Sequence, residues 1–121
     1  MKNLFIPYEL SLKMKNLGFN EPCFGYYNNN NEFTFFADIK TCNTNSEFGF
    51  HPTAPIFSQA VGWFREKYHL HSTITSISQE SWQWHIAKPG EILGALYDED
   101  FYTYEEAEFA CLNELIKIVG V

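Results

Sequence analysis

The sequence predicts an α+β domain, an antiparallel sheet of about four to five strands covered by three helices in the order α-ββ-α-ββ(β)-α. Two kinds of pattern point there. Apolar residues recur at helical spacing in three separate stretches, and between them lie two pairs of strand-like runs joined by short polar links. With 121 residues, 45% of them hydrophobic and 19% charged, the chain suits a single domain over 1–121 with an ordinary core.

The first helix should open at Pro7, a residue suited to the first helical position. Leu10, Met14 and Leu17 then fall on one face, and Gly18 is placed to close the helix in a left-handed conformation. Cys23–Tyr27 and Glu32–Ile39 read as strands around the loop 28–31, four consecutive Asn. Asn tolerates positive φ, so this loop suits a hairpin. The polar run Thr41–His51 reads as an exposed loop. Thr53 is a candidate N-cap for the second helix, with Pro55 in its first turn and an end near Tyr68. Phe57, Ala60, Val61, Phe64 and Tyr68 would form its apolar stripe, and Gly62 suggests close packing. Thr73–Ser78 and Ser81–Ala87 read as a second hairpin around Gln79-Glu80, with Ile92–Tyr97 as one more strand. The third helix begins after Thr103, which forms a capping-box pattern with Glu106, and carries Ala107, Ala110, Cys111, Leu115 and Ile118 inward.

Three blocks in these elements carry a resemblance. They are Pro7-Tyr8-Glu9-Leu10 leading to Leu17–Cys23; Pro52-Thr53, Gln59-Ala60 and Trp63–Tyr68; and Tyr104–Glu108 with Ala110-Cys111-Leu112 and Leu115-Ile116. In order and spacing, over about half of the chain, they resemble a family of small, functionally unassigned proteins of phages, prophages and mobile elements of Bacteroides-type bacteria. The resemblance implies an accessory role in that setting and brings no reaction, cofactor or functional residue with it.

Charge narrows the function classes. The net charge of −7 is confined to the last quarter: residues 1–90 balance at seven acids and seven bases, whereas 91–121 hold eight acids against Lys117. Such a balance argues against binding a nucleic-acid backbone, which relies on Lys and Arg displacing counterions. No apolar run reaches the roughly 20 residues that span a bilayer, and the first residues lack the apolar stretch of a signal peptide. Cys23, Cys42 and Cys111 are odd in number and widely spaced, which favours reduced thiols and a cytoplasmic location.

For chemistry, the sequence holds no G-x-S-x-G, P-loop, G-x-G-x-x-G or H-E-x-x-H pattern, so neither a catalytic set nor a cofactor is expected. His69 and His71, with His85 or a carboxylate as a third ligand, could hold a metal, but a helix end explains the pair and no metal is expected. Cys42 with His51 is the one conceivable nucleophile and base. Cys111 sits mid-stripe as a small hydrophobe.

Two binding surfaces remain. The leading reading is a non-enzymatic interaction module that docks a protein partner through Asp98, Glu99, Asp100, Phe101, Tyr102, Tyr104, Glu105 and Glu108, where carboxylates and rings alternate; the bland reading is a solvated loop and first helical turn. The alternative is a small-ligand site on Trp82 and Trp84, which share a strand face, with Tyr26 and Tyr27 as neighbours; if a helix covers that face the tryptophans are core. The oligomeric state is left open.

Overall fold

In the computed structural model, which describes residues 4–36, 44–48, 51–88, 91–94 and 101–120, the chain is α+β and its strand pairs are antiparallel. It divides into two units, Met1–Gln59 and Ala60–Val121, each with a three-stranded sheet. The single sheet expected from sequence is therefore two. Periodicity assigns residues to faces but does not choose a strand's neighbours, because backbone hydrogen-bonding groups are the same in every residue.

In the first unit, α1 (Tyr8–Asn16) buries Leu10 and Met14 as its spacing predicts, and Leu17 is half-buried. Pro7 is the N-cap, one residue outside its expected place. Gly18 takes φ 96°, with bonds from Gly18 N to Lys15 O (3.0 Å) and from Phe19 N to Met14 O (3.0 Å). That pattern ends a helix by satisfying its last carbonyls, and buried Phe19 and Met14 supply the accompanying apolar pair. Strands β1 (Gly25–Tyr27) and β2 (Phe33–Phe35) form the predicted hairpin. Its loop turns on Asn28, whose Oδ1 accepts from Asn30 N (2.9 Å) and Glu32 N (3.0 Å), and on Asn31 at φ 59°.

Gly25 is fixed by packing. An added Cβ would lie 2.5 Å from the Phe33 ring and 2.9 Å from Thr34 O. The Phe33 ring itself belongs to a cluster with Phe5 (4.4 Å between centroids) and Phe35 (4.8 Å). Tyr27 anchors the same core by donating its hydroxyl to Ile6 O at 2.6 Å.

The other edge of β1 pairs with β3 (Thr53–Ala54). Thr53 is thus a buried strand residue and not a helix cap, and α3 (Phe57–Tyr68) starts later than expected. Within the run expected to be an exposed loop, Asn45–Phe48 form one helical turn, α2, and Asn45 is buried. Its amide donates to Phe19 O (2.8 Å) and its Oδ1 accepts from Thr53 N (2.9 Å).

In the second unit, β4 (His71–Ser78), β5 (Ser81–Lys88) and β6 (Glu91–Gly94) follow in order. Helix α4 (Tyr104–Val119) packs on β5 and β4 and buries Ala107, Cys111, Leu112, Leu115 and Ile116. Its stripe is rotated towards Leu112 and Ile116 relative to expectation, leaving Ala110 and Ile118 half-buried. Gly62 on α3 does not mark close packing among the described residues: a Cβ there would meet Arg65 Nη2 at 3.4 Å, the end of a flexible side chain.

Candidate functional site

The start of α4 is held by two devices. Thr103, in extended conformation (φ −128°, ψ 157°), accepts from Glu106 N at 3.1 Å and so satisfies one of the free donors of the first turn. The return arm of a capping box is not made among the described residues, and Glu106 lines a surface groove. Just upstream, Phe101 and Trp82 exchange backbone hydrogen bonds of 2.8 and 2.9 Å, which fasten the segment before the helix to β5. The Trp82 ring meets Tyr104 edge-on at 5.5 Å and 88°. One β5 residue therefore orients both the approach to the helix and its first ring.

The groove is shallow and largely open to solvent, about 430 Å³ in volume, and is lined by Phe101, Glu105, Glu106, Phe109 and Ala110. Tyr102, Tyr104 and Phe109 are exposed by 75%, 42% and 39%, a concentration of rings facing water within eight residues of chain. Glu105, Glu106 and Glu108 have no ion-pair partner among the described residues; the one ion pair found there joins Arg65 and Glu66. Burial pushes the Glu108 carboxyl above its usual range and the negative charge of Glu105 adds to this, while a hydrogen bond from Tyr104 pulls the other way. Tyr104 is raised too, first by burial and then by the charge of Glu108 and the hydrogen bond to it. The surface thus combines apolar rings with carboxylates whose charge is incompletely compensated.

Of the residues expected to form this surface, Phe101, Tyr102, Tyr104, Glu105 and Glu108 lie along the start of α4 and the segment before it, and Asp98, Glu99 and Asp100 fall outside the described residues. Glu106 belongs to the same acidic segment, whereas Phe109 and Ala110 were not expected from sequence. Phe109 carried a signal: a large aromatic lying off the apolar stripe of an amphipathic helix has no partner in the core.

The tryptophan strand has a different character. Trp84 is buried, alongside Ile86, on the face that α4 covers, which is the core alternative; Trp82 is half-buried against Tyr104. Tyr26 and Tyr27 belong to the first unit, where Tyr26 stacks on Phe36 at 4.9 Å and Tyr27 is buried.

Burial raises the Cys111 thiol to about 11, with Glu108 and Glu114 adding to the rise against a hydrogen bond to Ser72, so at neutral pH it is a protonated core group. Cys23 is also buried, its Sγ donating to Glu21 O at 3.4 Å. Cys42, proposed to act with His51, lies outside the described residues. Among the described residues no cluster of three or more His, Cys, Asp or Glu could hold a metal ion, and His69 adopts φ 57° at the end of α3. No helix there is long and apolar enough to cross a membrane.

Comparison with protein-family models, curated proteins and solved structures finds no match to this chain.

Proposed function

We propose that the protein is a non-enzymatic docking module whose α4 surface receives a basic segment of a partner protein. One observation carries this reading: an apolar groove on the first half of α4 is edged by Glu105 and Glu106 with no compensating cation in ion-pair contact among the described residues. Phe101, Phe109 and Ala110 suit an aliphatic or aromatic anchor, and the surrounding carboxylates suit Lys or Arg flanking it. Charge complementarity of this kind mainly selects the partner and speeds encounter, whereas the buried anchor sets how long the complex lasts. The family resemblance of the three sequence blocks adds the setting, an accessory role in a phage or mobile element, acting in the cytoplasm.

The test uses fluorescent peptides that place one Leu or Phe among several Lys, with Glu-substituted peptides as controls. Binding should be confined to the Lys series, weaken as salt screens the charges, and be lost in a Glu105→Lys, Glu106→Lys variant and in Phe109→Ser. Equal binding of both series, or full binding by the variants, overturns the reading.

A further inference from the structure

We propose that the outer edge of β4 pairs with β4 of a second copy of this chain, antiparallel and centred on Ile74, joining two β4-β5-β6 sheets into one. The hydrogen-bond pattern of the sheet identifies the groups available. Trp82 commits its backbone N–H and C=O to Phe101, on the side of β5 away from β4. Residues facing each other in an antiparallel pair alternate between exchanging both bonds and exchanging none. Trp82 and its partner Ser76 are therefore a non-bonded pair, and so are Trp84 with Ile74 and Ile86 with Ser72. Ser72, Ile74 and Ser76 must point their N–H and C=O outward, and within this unit no described residue receives them.

Such an edge is usually protected by charge, proline, a bulge or shortness. The eight residues of β4, His-Ser-Thr-Ile-Thr-Ser-Ile-Ser, include no Asp, Glu, Lys, Arg or Pro. The irregularity between Ser76 and Ser78 lies at the hairpin end, leaving Ser72–Ser76 in regular register. Thr73, Thr75, Ser76 and Ile77 are exposed.

A second copy fits this edge for two reasons. The net charge of −7 opposes association of like molecules, and β4 is a strip that adds no Asp, Glu, Lys or Arg of its own to that repulsion. The outward groups are also self-complementary. A two-fold axis at Ile74 sets Ile74 opposite Ile74 of the second copy and Ser72 opposite its Ser76, all as bonded pairs. The same register sets Thr73 beside Thr75 of the second copy on the face away from α4, a β-branched pairing that favours the sheet. The contact is small, so the dimer should be weak. It should tighten with added salt, the opposite response to docking of a basic segment at α4.

Sedimentation over about 5–500 µM would follow the monomer–dimer equilibrium. Thr73→Lys with Thr75→Lys should hold the chain monomeric, as should the corresponding Glu pair, and mixing the two variants should restore the dimer. Amide exchange on the unaltered chain gives a reading that needs no variant to fold: Ser72, Ile74 and Ser76 should gain protection as concentration rises, while Thr73 and Thr75 stay protected throughout. A monomer across the whole range with concentration-independent exchange overturns the proposal, as does a dimer that both variants form as well as the parent.

Discussion

Asn45 joins two stretches of the first unit that lie far apart in sequence, 26 residues back to Phe19 and eight forward to Thr53. Asn45→Ala would remove both bonds and leave the buried Thr53 N–H without its acceptor, and should cost about 2–3 kcal/mol in urea unfolding. Nothing local marks this residue, since Asn in a polar stretch is ordinarily a loop residue and its value depends on where two distant backbone groups arrive. Glu108 makes a second prediction at the same scale. Its folded carboxyl is raised by burial and by Glu105, so its contribution to stability is complete below the unfolded value of 4.5 and is lost as pH climbs through the raised one. Glu108→Gln should therefore melt above the parent at neutral pH and level with it near about pH 4, by well under 1 kcal/mol for so exposed a group.

Helices and hairpins were legible to the extent that their signals are local. The Gly18 termination of α1, the Asn loop between β1 and β2, the Gln79-Glu80 turn and the Thr103 cap all involve residues within a few positions of each other, and all form. The start of α3 departs from expectation because Thr53, a good cap by composition, is drawn into β3 opposite Tyr26, 27 residues earlier in sequence, with its N–H taken by Asn45. Gly62 suggests a close contact by sequence, yet among the described residues a Cβ there meets only the Arg65 tip. Gly62→Ala should therefore raise stability by about 1 kcal/mol, seen as a higher melting temperature, because Ala has the greater helix propensity and nothing rigid stands in its way. On α4 the helical spacing located a buried face but misplaced its centre by part of a turn; the actual face leaves Ala110 beside the groove with Phe109, which lies off the stripe in either reading.

Across the molecule, the dominant electrostatic feature is the surplus of acid in the last quarter of the chain. Carboxylates gathered without cations repel one another, so raising NaCl from about 20 to 500 mM should increase the melting temperature, and less so when Glu105 and Glu108 are both changed to Gln. Scanning calorimetry at fixed pH would measure this. The α+β class, the order of the elements, the uneven charge and the capping residues follow from composition and short-range periodicity, because each rests on neighbours along the chain. The division of strands between two sheets, the recruitment of Asn45 and Thr53 into the interior, and the exposure of Phe109 required the tertiary structure. A backbone N–H bonds any C=O that reaches it, and a side chain is inside or outside only once the chain around it has been placed.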